Sequence, residues 1–322
     1  MKRLNKAKQW SLVGALSLSA SALAYAGTYF YSKAVAINKK DFTEDEYNMQ
    51  DVYPDDPWTA EKEWYQAVKH DVMTIESDDG LTLSSLFIPA AKETNRVAII
   101  AHGYSGSNKN MAPWSKLFHD LGFNLLIPDA RGHGESDGDY IGFGWHERVD
   151  YLRWIDNMIE RFGSESELIL YGLSMGGATV MNVSGETLPS NVKAIIEDCG
   201  YSSVTKELAH QMKRMYKLPQ FPFIPLASFV TKMKAGYWFG EANPEKQVKN
   251  SQTPLFFIHG EEDHFVPTHM VYDVYHAANC PKDLYVVPGA AHAYGYVTDK
   301  EEYRFRIKRF LDKYLDEETQ SI

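Results

Sequence analysis

Residues 168–177 read Leu168-Ile169-Leu170-Tyr171-Gly172-Leu173-Ser174-Met175-Gly176-Gly177. The first four are a short continuous apolar run, the pattern of a strand buried on both faces. A helix is expected from Met175. Gly172-x-Ser174-x-Gly176 therefore falls in a strand–turn–helix setting. A serine in such a turn is held in a strained backbone and needs small neighbours. Its hydroxyl stands clear above the sheet, at a helix N-terminus whose dipole favours developing negative charge. The alternative is a serine in an ordinary glycine-rich turn. The bare pattern is common by chance, so the strand before it and the helix after it give it its weight.

Outward from this stretch the chain alternates. Asp71 to Phe87 predicts a hairpin turning at Asp78-Asp79-Gly80, where glycine supplies positive φ. Strands are expected at Val97–Ala101, Asn124–Pro128, Val192–Glu197, Leu255–Ile258 and Leu284–Val287. Helices are expected over Met111–Leu121 and Trp145–Phe162, and from about Thr268 and Glu301. Such alternation means an α/β fold, a mostly parallel sheet with helices on both faces. Its ligands bind beyond the carboxyl ends of the strands. Residues 200–248 break the pattern. They are rich in Met, Phe, Tyr, Trp and Pro and show no strand. They read as a helical lid insertion over the strand ends, the plainer reading being a cover for the sheet edge.

A serine needs a base and a group to orient that base. In this arrangement the order is serine, acid, histidine. His292, in Pro288-Gly289-Ala290-Ala291-His292-Ala293, directly follows the last strand. His259 precedes the acid, and His264, His269 and His276 fall in or near a helix. Asp263, at the end of the strand before the histidine strand, is the preferred acid. Glu262 and Asp198 are its rivals, and Asp198 is expected instead to bond loop backbone. The oxyanion donors are read as the backbone N–H of Met175 and that of Tyr104, in His102-Gly103-Tyr104-Ser105-Gly106. Losing one such donor costs about 3–4 kcal/mol. The Tyr104 side chain lines an acyl pocket or simply packs. His102 and the turn Asp129–Ser136 are read as structural.

The bulk properties exclude other classes. The chain has 322 residues, 44% hydrophobic and 24% charged, with formal net charge −10. That is globular composition, and its acidity argues against nucleic-acid binding. The two cysteines, Cys199 and Cys280, form no CxxC pair or Cys/His cluster, so no metal site is expected. A disulfide between them is allowed by arithmetic, but a chain of this size needs no staple.

The N-terminus is distinct. Lys2, Arg3, Lys6 and Lys8 precede an almost uncharged stretch from Trp10 to Tyr31. It reads as a signal peptide or an uncleaved membrane anchor with the rest of the chain outside. Ala24-Tyr25-Ala26 suits cleavage and secretion. The apolar continuation through Tyr29, Phe30 and Tyr31 favours the anchor. A third reading is an amphipathic helix packed on the domain. The organisation expected is thus residues 1–37 as signal or anchor, 38–70 as a tether, and 71–322 as the catalytic domain.

His102-Gly103, Asp129-x-Arg131-Gly132-His133-Gly134-x-Ser136, Gly172-x-Ser174-x-Gly176-Gly177, Gly260-x-x-Asp263-x-x-Val266-Pro267 and His292 occur in this order. Together they resemble the α/β-hydrolase superfamily. They are most similar to membrane-anchored hydrolases of Gram-positive bacteria in the serine aminopeptidase and esterase-like group. The resemblance spans Asp71 to Tyr314. It implies the α/β-hydrolase fold, Ser174, Asp263 and His292 as a catalytic triad, Met175 and Tyr104 as oxyanion donors, and no cofactor. The expected activity is hydrolysis of a small or medium carboxylic ester with an apolar or aromatic part. A peptidase or amidase with the same triad is the alternative, and a non-catalytic surface-binding protein of this fold the remote one.

Overall fold

The computed structural model describes residues 21–37 and 55–315. Eight strands form one sheet: β1 (Asp71–Glu76), β2 (Thr82–Ile88), β3 (Arg96–Ala101), β4 (Asn124–Pro128), β5 (Glu167–Leu173), β6 (Val192–Asp198), β7 (Leu255–Gly260) and β8 (Lys282–Val287). Their spatial order is β1-β2-β4-β3-β5-β6-β7-β8. β1 and β2 form the expected hairpin, and β2 pairs antiparallel with β4. From β4 to β8 every pairing is parallel. The carboxyl ends of β3 and β5–β8 thus share one edge.

The helices are α1 (residues 21–34), α2 (Thr59–Ala67), α3 (Ala112–Asp120), α4 (Glu147–Phe162), α5 (Met175–Ser184), α6 (Val204–Tyr216), α7 (Phe223–Ala235), α8 (Pro244–Gln247), α9 (His269–Ala277), α10 (Gly295–Thr298) and α11 (Lys300–Leu311). Alternation along the strands decides which helices each face takes. Ala98, Ile100, Ile169 and Tyr171 pack with Leu117 and Phe118 of α3 and with Ile307 and Phe310 of α11. Val97, Ile99, Leu168 and Leu170 face the other way, onto Trp154 and Ile155 of α4, Val180 of α5 and Val271 of α9. Both faces are covered, which is why these strands are apolar throughout rather than alternating.

A third apolar cluster lies over the strand ends. It joins Met175 and Ala178 of α5 to Val204 and Met212 of α6, Ile224 and Ala227 of α7, and Tyr237 and Phe239. The stretch that broke the alternation is therefore helical, as its sequence predicts. Phe30, Tyr31 and Val35 are buried in the same cluster. The chain after α1 continues this docking: Ala36 bridges Tyr140, and the Ile141 N–H donates to the Val35 carbonyl. So the end of the stretch read as a membrane anchor packs on the domain, because its aromatic residues find an apolar surface formed with α6 and α7. Residues 1–20 and 38–54, which hold the rest of the stretch read as an anchor and part of the one read as a tether, lie outside the described residues. No described helix is long and apolar enough to cross a membrane.

Candidate active site

Ser174 sits between β5 and α5 with φ 57° and ψ −115°, a conformation that is strained for a side chain with a Cβ. Its N–H donates to the Asp198 carbonyl at 2.7 Å, fixing the turn to β6. The flanking glycines are sterically required. A Cβ on Gly172 would lie 2.1 Å from the Gly176 carbonyl oxygen, and one on Gly176 would lie 2.1 Å from that of Ala101. This close approach lets the helix start directly above the sheet.

The structure brings Ser174, His292 and Asp263 together from three different connections. The Ser174 hydroxyl donates to His292 Nε2 at 2.9 Å, and His292 Nδ1–H donates to Asp263 Oδ2 at 2.7 Å. Asp263 Oδ1 accepts the N–H groups of Phe265 and Val266, each at 2.9 Å. Burial by itself would raise the Asp263 carboxyl. The His292 charge and the hydrogen bonds from His259 and His292 outweigh it and hold the group far below the usual carboxylate range. For His292, burial pulls downward, but the Asp263 charge prevails and raises the imidazole above its ordinary 6.5.

The two residues expected to hold an oxyanion lie at the start of α5 and in the loop after β3. Met175 opens α5, so its N–H is one of the helix's unpaired amides. Gly103 lies beside Ser174, with its Cβ position 3.6 Å from that of the serine, and it brings the Tyr104 amide into the same loop. His133 donates a ring N–H to the Tyr104 carbonyl at 2.8 Å. The turn Asp129–Ser136, read as structural, thus also braces the loop that carries Tyr104. His102 accepts the Ala130 N–H at 3.0 Å through Nε2, and burial pushes its pKa down to about 3. It is a neutral strut between the two loops. The Tyr104 side chain turns to packing. Its ring stacks on Phe143 at 5.3 Å, and its hydroxyl donates to the Ala34 carbonyl.

Asp198 differs from expectation in detail. It accepts from the hydroxyls of Tyr303 (2.6 Å) and Tyr171 (3.1 Å) rather than from loop backbone. Tyr303 comes from α11, so only the folded chain reveals this partner.

Three residues given no place in the triad by the sequence lie beside it. Among them, Glu207 is available in the sequence, without being diagnostic, as a carboxylate that could recognise a free amine. His259 is fully buried, and its Nε2–H is shared between the Val266 carbonyl at 2.9 Å and Asp263 Oδ2 at 3.2 Å. Its place four residues before Asp263 was the available signal. Glu207, on α6, is buried near the Asp263–His292 pair. One of its oxygens accepts from Gln211 at 2.7 Å, and the other has no hydrogen-bond partner among the described residues. Burial pushes its carboxyl up to about 8. Gln211 also donates to the Phe265 carbonyl, which ties α6 to the loop of Asp263. Cys199, with φ 51°, is a free buried thiol, as is Cys280. A ligating atom of Cys199, one of Asp263 and one of His292 lie within 4.8 Å of one another, the group among the described residues that could hold a metal ion. Two of these donors are already committed to each other in the Asp263–His292 bond.

The sheet order, the strained serine turn and the residues gathered above the strand ends define an α/β-hydrolase fold. Residues 92–243 match a family model described as serine aminopeptidase S33, and residues 226–312 match the dienelactone hydrolase family. The uncharacterized protein YqkD of Bacillus subtilis is 28% identical over 254 residues, 79% of this chain and 83% of that protein. Among solved structures, the Pyrococcus furiosus esterase Pf2001 superposes with a TM-score of 0.63 at 21% identity, covering 85% of this chain and 97% of that one. Est1E of Butyrivibrio proteoclasticus, solved with ferulic acid bound, gives 0.58 at 19% identity, covering 75% and 98%.

Proposed function

We propose that the protein is a serine hydrolase that cleaves carboxylic esters through an acyl-enzyme on Ser174. The observation that carries this is the continuous relay from the strained serine hydroxyl through His292 to a fully anchored carboxylate at Asp263. In this reading His292 takes the Ser174 proton as Oγ attacks the ester carbonyl. The N–H groups of Met175 and Tyr104 hold the oxyanion. His292 then protonates the leaving alcohol, and water releases the acid. Asp263 keeps His292 in the tautomer that accepts at Nε2 and balances the imidazolium charge. The apolar cluster of the insertion favours a small or medium acyl or alcohol group with an apolar or aromatic part. The esterases among the structural neighbours support the ester reading.

The match to a serine aminopeptidase model supports a second reading, amide hydrolysis by the same triad. A panel of p-nitrophenyl esters and aminoacyl p-nitroanilides separates the two. A fluorophosphonate probe should label Ser174, and Ser174→Ala should lose labelling and hydrolysis, a fall of about 10⁶-fold in kcat. Unchanged turnover in Ser174→Ala would overturn both readings.

A further inference from the structure

The helical insertion is a basic part of an acidic protein, with seven Lys/Arg against Glu207, Glu241 and Glu245 over residues 200–248, Glu241 pairing with Lys232. Between Leu208 and Gly240 the chain carries Lys213, Arg214, Lys217, Lys232 and Lys234 and no Asp or Glu, whereas the whole chain has a net charge of −10. α1 adds Lys33 and again no acid. The same two segments hold eight of the twelve exposed large apolar side chains among the described residues, including Phe221 at 74% exposure, Tyr25 at 73% and Met233 at 72%. They are physically joined. Gly27 of α1 lies against Leu226 and Val230 of α7, and Phe30 meets Tyr216 and Phe223 edge-on. Phe229 and Met233 stand one turn apart on α7, and Phe229 packs beside Trp238 at 6.1 Å. The cations stand among the rings: Lys33 over Tyr29 at 5.9 Å and Lys234 over Tyr31 at 5.1 Å.

We propose that this face docks on an anionic bilayer surface. Its aromatic and methionine side chains enter the boundary between headgroups and acyl chains, and its lysines meet lipid phosphates. Protein–protein interfaces are depleted in lysine, whereas surfaces that lie on membranes combine Lys/Arg with Trp and Phe. The charge is complementary to anionic lipid, and local, since the rest of the chain would be repelled. Residues 1–20 join this face at Ser21, and their sequence is basic and then apolar from Trp10. Two modest membrane signals on one side give stable attachment where either alone is marginal. The inference does not depend on the chemistry of Ser174.

The test uses the full chain with Met233→Cys carrying an environment-sensitive fluorophore. Cys199 and Cys280 are both buried and do not compete for the label. On phosphatidylglycerol-containing vesicles the emission should shift blue and be quenched by brominated acyl chains. On pure phosphatidylcholine the response should be weak. Lys33→Gln with Lys234→Gln should weaken vesicle binding, read by the same label, by roughly thirtyfold. The same label at Asp156→Cys, exposed on α4, should not respond. A label at 233 that keeps its aqueous spectrum while the protein sediments with vesicles would overturn the proposal, because residues 1–20 alone would then be attaching the chain. Equal response on both lipids would overturn it as well. So would a blue shift that grows with protein concentration in the absence of lipid, which would make the occupant a second copy.

Discussion

β6 and β7 are parallel neighbours, and a buried aspartate stands at or just beyond the carboxyl end of each, yet the two carboxyls are driven in opposite directions. Asp198 is raised by burial and receives only two phenol hydroxyls. Asp263, as deeply buried, is lowered. It receives two backbone N–H groups on one oxygen and imidazole N–H groups on the other. Burial is common to both, so the donors decide. Backbone amides cannot withdraw, and imidazoles can carry positive charge, whereas phenols do neither. A strand end in this fold thus offers a place for an acid, and the loop after it determines whether the acid stays ionised.

Asparagine at each position breaks the comparison most directly. Asp263→Asn keeps an acceptor for Phe265 and Val266 but loses the charge and the tautomer control. We expect kcat/KM for a p-nitrophenyl ester to fall about 10⁴-fold. Asp198→Asn should leave kcat/KM within a few-fold and lower stability by about 1–3 kcal/mol, because an amide cannot accept from both hydroxyls as well as a carboxylate. The opposite ranking in a paired assay would move the acid to β6.

The pH profile sharpens the same contrast. Attack needs neutral His292, and the raised imidazole is protonated to higher pH than 6.5. The acid limb of kcat/KM should therefore lie on the alkaline side of 6.5, with activity rising as the proton leaves. Removing the Asp263 charge should move that limb toward lower pH in whatever activity Asp263→Asn retains. A limb that stays in place in the variant would mean the Asp263 charge is not what raises His292.

A smaller effect belongs to His259, which shares its N–H with Asp263 Oδ2. His259→Leu removes a donor from the ionised oxygen, and a slightly misplaced carboxylate misplaces the imidazole. We expect kcat to fall about tenfold to a hundredfold with KM little changed. His259→Gln, which retains an N–H, should recover part of the loss. Equal loss in both variants would point to packing alone.

The sheet was legible because each parallel strand is a short apolar run between turn signals, and Gly172 and Gly176 mark a turn that tolerates no side chain. Asp263 and His292 were legible by order along the chain. What the sequence hid are the contacts made at long separation. Tyr303 reaches Asp198 from 105 residues away. Tyr104 meets Ala34 across 70 residues, and no periodicity predicts it. The docking of Phe30, Tyr31 and Val35 was obscured for another reason: an apolar stretch after basic residues satisfies a membrane and a lid cluster equally well. Glu207 illustrates the last kind of gap. Carboxylates on helices are common, and only burial distinguishes this one.

Glu207 gives the smallest expected effect and extends the comparison to α6. Its carboxyl rises from the usual 4.5 to about 8, chiefly through burial. Like Asp198 it is buried without enough donors, having one from Gln211 and none among the described residues on its second oxygen. A raised carboxyl binds its proton more tightly in the folded state. Its contribution to stability is full below pH 4.5 and is lost as pH rises through about 8. Glu207→Gln keeps the shape and removes the titration. Its Tm should match the parent's near pH 4.5 and exceed it by a few degrees at pH 8.5. If the variant is instead less stable at pH 8.5, the Glu207 charge must have a partner in the folded protein, and this carboxyl would resemble Asp263 rather than Asp198.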